Sequence, residues 1–247
     1  MAAVEETSKF SEEHPMKGGD GPNSYANNST LQKGTVDAAK ELLRKAVAEE
    51  LDVNVFGFLE YQKRWWTKNS PAWNKGRIHY SNSTDEVVRA YEAQHAEDME
   101  CFLNARAQEI ADGGMMVLVI PGRSNTLPHS DMARKGLVSE EKVDTFNIPV
   151  YAMTPQELEA DVERNKHFSL KKLETIPHTP VPPTVSPIQL VVSHMRAGFE
   201  GIVKQQFGEE ILDDLFDLYL KKLEEQPSII ASGTETAIIF LAVLKRM

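Results

Sequence analysis

Gly113-Gly114-Met115-Met116-Val117-Leu118-Val119-Ile120-Pro121-Gly122-Arg123 is the stretch on which the fold turns. Its apolar core is too short for a helix and is bounded by paired glycines before it and Pro-Gly after it. That pattern predicts a strand over Met115–Ile120, buried on both faces as in a parallel sheet covered by helices. Upstream, Val88, Tyr91, His95, Met99, Phe102 and Ile110 recur at helical spacing behind an N-cap at Thr84 or Ser83. Gly113 and Gly114 supply the left-handed stop. Further upstream a helix is expected from Val36 to Leu51, after an irregular Gly/Asn/Ser-rich loop over Lys17–Gln32. Downstream, Thr154-Pro155-Gln156-Glu157 is a capping box that opens a helix to about Asn165. Phe168–Ile176 alternates as a half-buried strand, and the proline-rich stretch 178–187 is a loop. Helices over 188–207 and 209–225 part at Gly208, and Thr236–Lys245 closes the pattern as another buried strand. Helices alternating with strands make an α/β protein.

The chain has 247 residues, enough for one domain over 1–247 with a sizeable core. Its net charge of −10 argues against nucleic acid, whose affinity comes from Lys and Arg on phosphate, and against a basic membrane-surface helix. One cysteine, Cys101, excludes a disulfide framework and a cysteine-based zinc site; beside Met99 and Phe102 it is expected to be packed. Met1–Pro15 has no apolar core of a secretory signal, so a cytoplasmic protein is expected. The histidines show no metal-ligand spacing, and no nucleophile elbow, P-loop or dinucleotide fingerprint occurs.

Five stretches resemble, in order, the plant SABATH methyltransferases. They are Met16-Lys17-Gly18-Gly19-Asp20-Gly21 with Ser24–Ser29 and Gln32; Asn74-Lys75-Gly76-Arg77-Ile78-His79-Tyr80; Gly113–Leu118 with Gly122-Arg123; Val138–Pro149 with Tyr151; and Met195-Arg196-Ala197 through Phe207-Gly208-Glu209. The resemblance implies a Rossmann-like methyltransferase sheet with an α-helical cap. It implies transfer of a methyl group from S-adenosylmethionine to the carboxylate of a small plant acid, in plant secondary metabolism. Such an acceptor is already ionised at neutral pH, so no general base is required and no catalytic residue is assigned; orientation and exclusion of water carry the reaction.

By the same resemblance Lys17 and Gln32 hold the acceptor carboxylate, Asn28 lies close to it, and Tyr25 contacts the cofactor. The alternative for this loop is that its polar side chains satisfy turn backbone. The positions matching a recorded magnesium site are Asn74, Asp144, Asn147 and the carbonyl of Phe146, an all-oxygen set suited to a hard cation; alternatively Asp144 and Asn147 cap a loop before Pro149. The family's D-x-G-C-x-x-G-x-N turn, its ribose-binding acid and its H-S-x-Y-S stretch have no counterpart here. A gap is therefore expected near 52–73, in the central cofactor-binding section, and another at 130–131. The rival reading is a non-catalytic, shortened paralogue or isoform that acts as a homodimer or as a heterodimer with full-length relatives.

Overall fold

The structure is a computed structural model describing residues 21–46, 55–56, 70–74, 77–123, 146–148, 150–176, 186–226 and 237–247. Lys17 and Asp144 lie outside these residues, as do most of the two expected gap regions and of the 178–187 loop. The chain divides into two compact units: residues 1–30 with 183–225, and residues 31–182 with 226–247.

The larger unit holds α2 (Thr30–Ala46), β1 (Val55–Phe56), α3 (Asp85–Glu109), β2 (Met115–Arg123), α4 (Pro155–Asn165), β3 (Phe168–Ile176) and β4 (Ala237–Arg246). The strands form one sheet in the order β1-β2-β4-β3. β1 runs parallel to β2, whereas β4 lies antiparallel to both β2 and β3. This corrects one expectation: the long neighbour of β2 is antiparallel, because burial on two faces constrains what covers a strand and not which way its partner runs. β2 also continues through Pro121 and Gly122, both still in register with β4.

Burial on both faces is borne out residue by residue. Met116, Leu118, Phe240, Ala242 and Leu244 face one core with Tyr91, Met99 and Leu103 of α3 and Leu158 and Val162 of α4. Val117, Leu241 and Val243 face a smaller core that includes Ala39 of α2. The alternation is the period of two of a β-strand, with a helix layer on each side.

The helix ends follow the local chemistry. Thr84 caps α3 by accepting the N–H of Val87, and α3 ends at Ile110, just before Gly113 at φ 81°. Thr154 and Glu157 form the reciprocal capping box of α4, with Pro155 in its first turn. α2 begins at Thr30, before the expected Val36, so Gln32 is helical; it is described as far as Ala46, and the expected end at Leu51 lies outside the described residues. Cys101 is exposed and not packed. It follows Met99 by two positions, which turns it roughly 200° away from that buried residue.

The smaller unit holds α1 (Tyr25–Asn28), α5 (Pro187–Phe207) and α6 (Leu212–Glu225). Arg196 of α5 donates to Glu200 (2.9 Å) and to Asp213 of α6 (2.6 Å), and lies 5.3 Å from the Phe216 ring centroid. One guanidinium thus ties the two helices through two carboxylates and a ring. Among the described residues no helix is long and apolar enough to cross a membrane.

Candidate functional site

In α/β sheets ligands gather at the carboxyl ends of the parallel strands. Here that end is Pro121-Gly122-Arg123 of β2; one segment meets it and a second packs on the first. The second is made of Asn74 and residues 77–83. Asn74 is buried; its amide nitrogen donates to the carbonyl of His79 (2.8 Å), and its oxygen accepts from the Ser83 hydroxyl (2.5 Å). The segment that meets β2 comprises residues 146–148 and 150–154. The N–H of Ile148 donates to the carbonyl of Ile78 (2.7 Å), and the N–H of Arg123 to the carbonyl of Met153 (3.0 Å). Gly122 permits that second approach, because a Cβ there would overlap the Met153 carbonyl oxygen and the Phe240 ring.

An aromatic cluster supports the junction. Tyr80 stacks on Tyr91 at 5.0 Å and packs against Tyr151 at 5.3 Å, and Tyr151 meets His95 at 4.9 Å. The Tyr80 hydroxyl accepts the N–H of Ala152 (3.0 Å). The Tyr151 hydroxyl donates to Glu157 Oε1 (3.0 Å), which also accepts from Arg123 Nη2 (3.0 Å). Burial, and then the Glu157 charge, push the Tyr151 hydroxyl pKa upward, so it stays protonated as a donor.

Of the positions matched to a cation site, Asn74, Phe146 and Asn147 are all buried in this region, tied together through Ile78, His79 and Ile148. The side-chain oxygen of Asn147 is buried without a hydrogen-bond partner among the described residues. A buried amide oxygen left open is costly, and a hard cation or a donor ligand would satisfy it. Asn74 keeps a second lone pair on its oxygen. Of the three described positions, the open Asn147 oxygen is the one whose chemistry suits an oxygen-ligated divalent cation. No group of three or more His, Cys, Asp or Glu side chains suited to a metal occurs among the described residues.

The acceptor-side residues are placed less fully. Tyr25 lies on α1 and Gln32 on α2, and their side chains fall outside the described part. Asn28 is described: its amide nitrogen donates to the carbonyls of Pro22 (2.7 Å) and Ser24 (2.8 Å), so both of its N–H groups serve the turn. The same turn is held by Ser24 as the N-cap of α1 and by a hydrogen bond between His194 of α5 and the backbone of Asn28. The Arg123–Tyr151–Glu157 junction is the part that sequence reasoning misses. Gly122-Arg123, Tyr151 and the capping Glu157 each stand out in the sequence, but nothing in their spacing joins them.

Burial lowers the His95 pKa to about 4, against a smaller upward pull from Glu157. Burial raises that of Asp161, on α4, to about 6, against the opposing pull of Arg164. The two effects run in opposite directions. The depressed His95 contributes stability that is present above its unfolded value of 6.5 and is lost as pH falls toward 4. The raised Asp161 contributes stability that is present below its unfolded 3.8 and is lost as pH rises through 6. Asp161→Asn is expected to stabilise the protein at pH 7 by on the order of 1–2 kcal/mol and to have no effect near pH 3. It also unmasks the acid-side loss due to His95. Urea midpoints from pH 3 to 7 check this; equal midpoints for the two proteins at pH 7 would contradict it.

Comparison with known proteins gives a consistent picture. The family described as SAM-dependent carboxyl methyltransferase matches residues 11–59 and 60–247. Loganic acid O-methyltransferase of Catharanthus roseus is 30% identical over 352 residues, covering 95% of each chain. That alignment is longer than the 247 residues of this chain, so the relative has stretches without a counterpart here. A probable S-adenosylmethionine-dependent methyltransferase and farnesoic acid carboxyl-O-methyltransferase, both of Arabidopsis thaliana, are 32% and 30% identical over 77% and 72% of this chain. The chain spans 59% and 55% of their lengths. A solved structure of loganic acid methyltransferase with SAH matches with a TM-score of 0.83 at 28% identity, over 94% of this chain and 98% of that one.

Proposed function

The chain belongs to the family of S-adenosylmethionine-dependent carboxyl methyltransferases, and from that membership we propose that it methylates the carboxylate of a small plant acid. The observation that carries the reading is the docking of Met153 on Arg123 at the carboxyl end of β2, with the Ile78 region bonded behind it to Ile148, in a fold that matches a methyltransferase with SAH. S-adenosylmethionine supplies the electrophilic methyl group. The work of the chain is to orient an acceptor already ionised at neutral pH and to keep water out, so no side chain has to remove a proton. Lys17 and Gln32 would hold the acceptor carboxylate as ammonium and amide donors. Asn28, with both N–H groups on its turn, would shape the loop and not donate to the acceptor. Tyr25 would contact the cofactor.

Asn74, Asp144, Asn147 and the Phe146 carbonyl would hold a magnesium ion, which would supply positive charge to that region of the larger unit. The open Asn147 oxygen supports this part of the reading. The central section that relatives use for the methionine and ribose ends of the cofactor is, on this reading, shortened. The absence of a D-x-G-C-type turn supports that, as does an alignment longer than the chain itself. Cofactor affinity is accordingly expected to be weaker than micromolar. A cytoplasmic location and pairing with a second copy or a full-length relative complete the proposal.

Transfer of radiolabelled methyl to a panel of small acids, loganic and farnesoic acids among them, tests the reading across a wide range of S-adenosylmethionine concentration. Base-labile ester is expected only at high cofactor. Turnover saturating at micromolar cofactor would refute the shortened cofactor site. No ester at any concentration would favour the non-catalytic rival.

A further inference from the structure

We infer that Glu157 is a positioning residue of this site: together with Arg123 and Tyr151 it fixes the 146–152 segment, and with it the open oxygen of Asn147, at the carboxyl end of β2. The inference rests on the proposed cation site in that region.

The two oxygens of Glu157 do separate jobs. Oε2 accepts the N–H of Thr154 (2.6 Å) and closes the capping box, a task any helix start could ask of a glutamate. Oε1 has no part in the cap. It accepts from the guanidinium at the end of β2 and from the Tyr151 hydroxyl, both at 3.0 Å. The Arg123 side chain is only 9% exposed and that of Glu157 28%, so removing this carboxylate would leave a buried guanidinium with less to balance its charge. Tyr151 in turn carries the segment. Its ring packs on Tyr80 and His95, the Tyr80 hydroxyl holds the N–H of Ala152, and the N–H of Ile148 is bonded to Ile78. Asn147 is thus followed by anchored residues, and one of the anchors, the Tyr151 hydroxyl, shares its carboxylate oxygen with the Arg123 guanidinium. Gly122, with no Cβ, lets the Met153 carbonyl come close enough to accept the N–H of Arg123.

The capping and positioning roles can be separated by substitution. Glu157→Gln keeps a side chain competent for a capping box and removes the charge that faces Arg123. Tyr151→Phe removes a single hydroxyl and leaves the ring. Thr154→Ala removes the cap and leaves the junction. Hydrogen–deuterium exchange of the full-length proteins, read over peptides spanning 146–153, is the test. Glu157→Gln and Tyr151→Phe are expected to speed exchange at Ile148 and Ala152 by about ten- to hundredfold. Thr154→Ala should lower the melting temperature while leaving those amides near their native rates. Native rates in both Glu157→Gln and Tyr151→Phe would overturn the inference, as would an equal acceleration in Thr154→Ala. Tyr151→Phe carries the test by itself if Glu157→Gln does not fold. A parallel titration with Mn2+, followed by electron paramagnetic resonance, keeps the two readings apart. No Mn2+ binding by the unaltered protein would refute the cation part of the proposed function and leave the exchange rates to decide the role of Glu157.

Discussion

Grafting the cofactor-binding section of a full-length relative between Leu51 and Asn74 is expected to bring S-adenosylhomocysteine affinity into the micromolar range and to raise ester formation sharply. The turn after a first strand and an acidic ribose partner are what hold such a cofactor in folds of this kind, and the stretch between Leu51 and Asn74 contains neither pattern. In that chimera Gln32→Ala and Lys17→Ala are each expected to lower kcat/KM about ten- to hundredfold. Each would remove a hydrogen bond to a charged group, worth roughly 1.5–3 kcal/mol. Calorimetry with S-adenosylhomocysteine and radiolabelled ester formation are the measurements. Full activity of both variants on every accepted acid would show that the acceptor is held by other residues. A chimera that binds the cofactor yet methylates nothing would move the fault to the acceptor side.

Phe240→Ala should cost about 3–5 kcal/mol, the usual loss for removing a fully buried ring. Phe240 is 0% exposed on β4, in register with Ile120 of β2 and Thr175 of β3, and belongs to the core that α3 and α4 cover. Its ring also packs against Gly122, so the cavity would open directly beneath the end of β2. Against a total stability of about 5–15 kcal/mol, the loss is large enough to leave a substantial unfolded population. Urea unfolding should show a lower midpoint with an unchanged slope. A loss below about 1 kcal/mol would mean that this face of the sheet is loosely packed.

Where the local code was strong, the sequence was legible to the residue. Phe168–Ile176 alternates cleanly and is a strand over those residues; Thr154 and Glu157 at capping-box spacing open α4; Thr84 caps α3. The two-faced burial of Met115–Ile120 is equally plain, because an unbroken apolar run has no side to show to water. Strand direction is not local. The antiparallel pairing of β2 with β4 depends on how the chain returns, and no single strand encodes that. The start of α2 is obscured because Asn27, Asn28 and Ser29 speak for a turn while Thr30 already begins the helix. In the candidate site, Asn74, Phe146 and Asn147 could be named from resemblance, and the structure ties their segments together through Ile78, His79 and Ile148. The junction on Glu157 could not be named, since its partners Arg123 and Tyr151 meet it only after folding.

The place of β4 bears on how the molecule is made as well as on how it is held. β4 lies between β2 and β3 and pairs with both, so neither neighbour has its full set of ladder bonds until β4 arrives. It is also the last of the described elements along the chain, and its partners in β2, such as Met115 opposite Lys245, are distant in sequence. During synthesis the apolar residues of β2 and β3 therefore leave the ribosome well before the strand that joins them. Closing so long a loop is slow, and the waiting strands present open edges to every other nascent chain. Over that interval the chain is most open to aggregation, and chaperone protection is expected to raise its yield of native protein.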